Sequence, residues 1–364
     1  MRRRHGRVNR WVLVAAALVA LGLYYVETGS ARWVRGRAYE SKLAAARLAQ
    51  AAFAEVKALR DSLGLPVDSL SDPNATGLVG VQYSPVTYGR SDLSDALTTT
   101  NPNFAAAVVE MLFSAGARRG DTVAVSWDGT YPALNVHVLA ACRALGLTPA
   151  VVTTLSAGSW GANLPGWTWP DIERRLVTSG VLAERTVASF IGAEDDNGRG
   201  LSPEGRDLLD SAAARAGMAL ESPDSLAAGV EARRAAFGRV KAAVLVGRAV
   251  AHSGDPLAPA PSRVLRGRSD RLHSGGLVRA LLEQGVPVVH IANPRRVAAA
   301  YRLPVAPVPL PELGRGRLFF ERRYSVWLAG LFAALLLALV WFVVRYDVES
   351  YLGVKRNQEE NSSV

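Results

Sequence analysis

Apolar residues follow three rhythms along this chain. At each end they run almost unbroken. From residue 37 to 63 they recur every three or four positions, and through the middle short β-branched runs alternate with helical stretches.

The C-terminal run, residues 324–344 (YSVWLAGLFAALLLALVWFVV), is uncharged and closed by Arg323 and Arg345. At about 1.5 Å per residue it spans a hydrocarbon core of about 30 Å. Tyr324, Trp327, Trp341 and Phe342 stand near its ends, where aromatic rings favour the headgroup level. The N-terminal run, residues 11–26, is shorter and follows Arg2, Arg3, Arg4, Arg7 and Arg10. It reads as a signal peptide or a retained anchor. Tyr24, Tyr25, Arg32, Trp33, Arg35 and Arg37 form an interfacial girdle and favour the anchor.

The expected organisation is a basic cytoplasmic tail (1–10), a transmembrane helix (11–26), an extracytoplasmic domain (30–323), a second transmembrane helix (324–344) and a cytoplasmic tail (345–364). Orientation rests on the five leading arginines, because cytoplasmic flanks carry excess positive charge. The C-terminal helix has basic residues on both sides: Arg315, Arg317, Arg322 and Arg323 before it, Arg345, Lys355 and Arg356 after it.

Between the anchors, residues 37–63 form a helix stopped by Gly64 and Pro66. Asn101 before Pro102 reads as the N-cap of a helix over FAAAVVEMLFSAG that Gly116 ends. TVAVSW, VHVLAACRALG and TPAVVTTL then read as strand, helix and strand. RTVASFIG continues as strand, SPEGRDLLDSAAARAG as a helix capped by Ser202, VKAAVLVG as strand, SGGLVRALLEQG as helix and VPVVHIAN as strand. Buried β-branched strands joined by helices predict an α/β fold with an open, mostly parallel, doubly wound sheet in one soluble domain. Residues 304–311 carry a proline at every second or third position, a stiff spacer leading to the second anchor.

Composition sets limits. Hydrophobic residues make up 49%, with 33 glycines and 19 prolines, which describes a folding chain. Cys142 is the one cysteine, so no intramolecular disulfide supports the domain, and its place in an apolar helix suits packing. The formal charge is +10, and removing the tails leaves about +6 between the anchors. This is a solvated basic surface or one that attracts a polyanion or anionic lipid. No nucleic-acid motif is present, and nucleic acid is not an expected partner.

Ligands of doubly wound sheets gather outside the carboxyl ends of the strands, so loops following strands are the candidate sites. They supply Ser126, Asp128 and Gly129 after the first strand, and Ser156, Ser159, Trp160, Gly161 and Asn163 after the second. His252 follows a later strand, and Ala292-Asn293 the last. Thr99, Thr100 and Asn101 at a helix start, and Asp195 and Asp196 in an acidic stretch, complete the set. Small polar residues and glycines there let a carboxylate or phosphate reach backbone N–H groups, but the same residues also build turns and caps.

SWDGT is not the G-x-S-x-G elbow of a serine hydrolase, and no histidine is assigned to Ser126. His137 and His290 fall within a helix and a strand, as core residues do; His252 and His273 fall in loops. Asp195 and Asp196 are hard oxygen ligands without calcium-loop spacing. No P-loop, complete dinucleotide fingerprint or zinc-type spacing names a cofactor, and no metal site is expected.

DPNATGLVG (72–80), TTTNPNFAA (98–106), GTYPALN (129–135), SWGAN (159–163) and GRGLSPEGR (198–206), in this order and between two apolar ends, resemble the poly-gamma-glutamate system proteins. The likeness covers nearly the whole chain. It implies a membrane component working beside synthetase and export subunits, and it carries no catalytic residues. The chain departs from the family pattern after VKAAVLVG, where Arg248-Ala249-Val250-Ala251-His252-Ser253-Gly254 replaces a glycine-rich turn. The expected function is an accessory subunit that binds the emerging polyanion or its partner subunits. The alternative is an enzyme that trims or attaches the polymer with Ser126, Asp128, Ser156 or Ser159 and an acid such as Asp195.

Overall fold

A computed structural model describes residues 10–255, 260–267 and 275–345. His273 and most of both predicted tails lie outside the described residues. The chain begins with α1 (Arg10–Gly29), β1 (Arg32–Arg35), α2 (Tyr39–Ser62), α3 (Leu93–Thr99) and α4 (Phe104–Ala115). Next come β2 (Thr122–Trp127), α5 (Pro132–Leu145), β3 (Thr148–Thr154), β4 (Asn163–Leu164), β5 (Trp167–Thr168), α6 (Trp169–Thr178) and β6 (Thr186–Phe190). α7 (Pro203–Ala216), β7 (Leu220–Glu221), α8 (Leu226–Phe237), β8 (Ala242–Val246), α9 (Val250–Ser253) and β9 (Arg263–Leu265) follow. Then come α10 (Leu277–Glu283), β10 (Val288–Ile291), α11 (Pro294–Ala300), β11 (Phe320–Arg323) and α12 (Val326–Arg345). They fall into two units, one of residues 36–319 and one formed by the two ends of the chain.

The larger unit is mixed α/β. Its seven-stranded sheet has the order β7-β6-β3-β2-β8-β10-β9. Neighbours are parallel except β9, which runs antiparallel to β10. Alternation along β2 sends Val123, Val125 and Trp127 into a core shared with α2, α4 and α5. Ala124 joins Val152, Ala243 and Leu245 against α8 and α10 on the other face. From β2 the chain moves outward through β3, β6 and β7, then returns to β8 on β2's other side. The strand order therefore reverses between β2 and β8, where doubly wound sheets open a crevice.

The α4 start differs from expectation. The helix begins at Phe104, after Asn103, and not at Pro102. Asn101 Oδ1 accepts the Asn103 N–H at 3.1 Å and closes a turn in place of a cap. Asn103 instead binds a later segment, accepting from Gly314 N at 2.8 Å and donating to Glu312 O at 3.0 Å. The proline-rich stretch is likewise fastened to its domain: Ala306 N donates to Thr98 Oγ1 at 3.0 Å and Asn74 Nδ2 to Pro307 O at 2.8 Å.

In the unit formed by the ends, β1 and β11 pair as an antiparallel ribbon. Among the described residues one helical stretch, Val326–Val343, is long and apolar enough to cross a membrane; α1 holds a shorter apolar stretch, Leu13–Gly29.

Candidate functional site

Asp128 marks the crevice. It follows β2 directly, and Gly247 follows β8. Its carboxylate accepts the Thr130 N–H at 2.8 Å and the Arg248 N–H at 2.9 Å, binding the two strand-end loops across the reversal. Gly247 makes this approach possible: at φ +93° it adopts a backbone that side chains avoid, and a Cβ there would lie 2.3 Å from Asp128 Oδ1. Burial raises the Asp128 carboxyl above the ordinary aspartate pKa, while hydrogen bonds from Thr130, Arg248 and Ala249 pull the other way.

Above this junction lies a cavity of about 200 Å³. Tyr88, Gly89 and Arg90 line it from one loop, Asp128 and Thr130 from beyond β2, Thr154 from the end of β3, Ser156, Ala157 and Gly158 beyond β3, Gly192, Ala193 and Asp196 beyond β6, and Arg248, Ala249 and Val250 beyond β8. The small residues are fixed by close neighbours, side chains at Gly192 and backbone at Gly161. A Cβ on Gly192 would meet Ser156 Oγ at 2.3 Å, and one on Gly161 would meet Gly129 O at 2.5 Å. Gly129 N donates to Ser156 O at 3.1 Å and Gly158 N to Thr130 Oγ1 at 2.9 Å, so the β2 and β3 loops are sewn together.

An ion pair supports one wall. Arg233, fully buried on α8, meets Asp196 through both terminal nitrogens, donates to Thr154 Oγ1 at 2.9 Å and lies 3.6 Å over the Phe190 ring. Burial raises the Asp196 carboxyl and Arg233 opposes it. Ala193, Asp195 and Asp196 all have positive φ, at 63°, 54° and 64°. Non-glycine residues hold that conformation only where the surroundings impose it, and it concentrates at ligand sites.

Two arginines, Arg90 and Arg248, border the cavity. The Arg90 and Arg248 guanidinium groups make no hydrogen bond or ion pair with another described residue. With the Thr130, Thr154, Ser156 and Tyr88 hydroxyls nearby, the arrangement suits a carboxylate or phosphate. Among the described residues no group of three or more His, Cys, Asp or Glu side chains could hold a metal ion.

Of the residues chosen from sequence, Asp128, Ser156 and Asp196 line the cavity, and Gly129 and Gly161 shape the loop behind it. The others lie elsewhere. Thr99, Thr100 and Asn101 are buried and spent on local bonds: Thr99 Oγ1 to Ala96 O, Thr100 Oγ1 to Leu97 O, and Asn101 in the turn before α4. Asn163 is a clasp, accepting from Val81 N and donating to Val81 O and Thr87 Oγ1. Ser159 O accepts from Ser91, and Trp160 occupies a left-handed turn. Asp195 points to Arg199 at 2.7 Å.

Ser126 does have a histidine: His252 Nε2 lies 3.0 Å from its Oγ. Both side chains are sealed beneath the sheet, at 0% and 1% exposure, and neither lines the cavity. Burial holds the His252 pKa well below the ordinary imidazole value, with His290 and Arg233 adding to the effect. The pair is a neutral core hydrogen bond without access for a substrate.

Sequence reasoning placed Thr130 in the loop after the first strand but passed over Tyr88, Arg90, Thr154, Gly192, Arg233 and Arg248 as site residues. Arg248 had a signal, because it stands two residues past a strand. Arg90 had none, since residues 85–95 show no periodicity.

No protein-family model matches the chain, and comparison with curated proteins and with solved structures gives no significant match.

Proposed function

We propose that the chain is a membrane-anchored accessory component of a poly-gamma-glutamate synthesis or export system, whose α/β domain binds the polyanion at the β2–β8 crevice. The observation that carries this reading is a pair of arginines, Arg90 and Arg248, that line one small cavity together with several hydroxyl-bearing residues and whose guanidinium groups have no hydrogen-bond or ion-pair partner among the described residues. Each unit of a γ-linked glutamate polymer presents a free α-carboxylate, and guanidinium groups grip carboxylates in a planar fork. The reading includes two anchors, α1 and α12, with the domain outside the cytoplasm, supported by the apolar ends and the five arginines within the first ten residues.

Titrating the full chain in nanodiscs with poly-gamma-glutamate at low and raised salt tests it. Binding should weaken with salt and fall about tenfold or more in Arg90→Gln/Arg248→Gln. Binding that is absent at low salt, or unchanged in the double variant, overturns the reading.

A second reading, an amide hydrolase or transferase, draws on Asp128 and Asp196. Both residues line the cavity and both carboxyls are raised by burial, the tuning that general acids use. Shortening of the polymer on a gel, abolished by Asp128→Asn, would establish it; unshortened polymer leaves the binding subunit.

A further inference from the structure

The ribbon between the chain ends sits directly against both end helices in sequence. β1 starts three residues after Gly29, and β11 stops three residues before Val326. Its register puts Arg32 opposite Arg323, Trp33 opposite Arg322, Val34 opposite Glu321 and Arg35 opposite Phe320. The rung nearest both helices is therefore a pair of arginines on one face of the ribbon.

Directly opposed residues of an antiparallel pair hold their Cβ atoms about 5 Å apart, and like charges there destabilise the pairing. The neighbouring groups do not relieve this. The Arg32 side chain has no hydrogen-bond or ion-pair partner among the described residues. Among the described residues the Arg323 side chain reaches Glu321 alone, at 3.5 Å and with both side chains well exposed. Arg322 is committed elsewhere: its Nη2 donates to Thr28 O at 2.8 Å, capping the last turn of α1, and its guanidinium lies 5.7 Å from the Tyr324 ring. Glu27 and Glu321 stand against Arg32, Arg35, Arg322 and Arg323, so the collar keeps net positive charge.

Its surroundings are those of a membrane boundary. Trp33, Tyr25, Tyr324 and Trp327 are 57%, 80%, 48% and 92% exposed around the helix ends. Aromatic rings of this kind settle at the headgroup level.

We infer that Arg32 and Arg323 form a clamp for the phosphate of an anionic phospholipid, which neutralises their mutual repulsion at the surface of the bilayer. The cross-strand pair supplies two guanidinium forks to one phosphate group, and α12 carries the ribbon to phosphate depth. The inference rests on α12 lying in a bilayer and is independent of what the crevice binds.

The test uses the full chain in vesicles of phosphatidylcholine, alone or mixed with phosphatidylglycerol, with spin-labelled forms of each lipid as probes. Resistance to carbonate extraction checks first that the chain is embedded; extraction of the wild type would remove the bilayer placement and the clamp together. The embedded wild type should select phosphatidylglycerol, and Arg32→Gln/Arg323→Gln should reduce that selectivity about tenfold or more. Arg32→Lys/Arg323→Lys should keep most of it. If the double glutamine variant does not reach the membrane, Arg32→Gln alone should reduce selectivity about fivefold. Equal association of the two lipids, selectivity unchanged in the glutamine variants, or full displacement by inorganic phosphate would overturn the inference.

Discussion

Two places on β2, two residues apart, show how differently the sheet treats polar groups. Ser126 points into the core and meets His252 at 3.0 Å, a pair that looks like catalytic chemistry and is sealed from solvent. Asp128, just past the strand end, borders a cavity with two arginines whose guanidinium groups are unpaired among the described residues. Access separates them. Hydrogen-bond geometry inside a sheet measures satisfaction of buried groups, whereas the strand ends measure reach to a ligand.

Several substitutions would break or sharpen this contrast, beginning with the largest effect. Arg233→Met leaves Asp196 as a buried, unpaired carboxylate and should cost about 3–5 kcal/mol in denaturant unfolding, with loss of ligand binding. Arg233 thus marks where the cavity depends on the core.

Acid should act on the core and on the cavity in opposite directions. His137 and His290 are buried with pKa values lowered to about 4 from 6.5, so the unfolded chain takes up protons that the native chain rejects. Each therefore leaves stability intact above pH 6.5 and removes about 1.4 kcal/mol per pH unit between 6.5 and about 4. The raised carboxyls of Asp128 and Asp196 act in the opposite sense, which makes the comparison with His290→Gln the informative one. Unfolding measured against pH should show a slope shallower by that amount in the variant.

Gly247→Ala sets a methyl against the Asp128 carboxylate at a backbone angle that alanine resists. It should cost about 2 kcal/mol and distort the crevice, abolishing binding. Arg248→Gln alone should weaken poly-gamma-glutamate binding about tenfold while shifting stability by less than about 0.5 kcal/mol. Ser126→Ala is the opposite case. It leaves His252 without its hydroxyl partner, costs about 1 kcal/mol in unfolding, and leaves binding in the same titration unchanged. Loss of binding in Ser126→Ala would erase the distinction between the two places.

The sheet was legible because its information is local. TVAVSW, TPAVVTTL, VKAAVLVG and VPVVHIAN are compact β-branched runs with helical text between them, and each forms its strand. β9 escaped notice: three residues carry no period, and an antiparallel edge strand is fixed by its partner β10. The site was legible only where it follows a strand, as with Asp128 and Ser156. Asn101 and Asn163 looked equally polar and became turn and clasp, because backbone groups close to them in space needed partners.

By itself the sequence determined the apolar ends, the alternating α/β text and the excess of arginine, since each is a property of neighbouring residues. Tertiary structure alone decided which polar groups meet. Asp128 and Arg248 are 120 positions apart and come together only because the strand order reverses between β2 and β8. Arg32 and Arg323 face each other only through the register of the ribbon. Both meetings depend on non-local strand pairing, which no window of neighbouring residues contains.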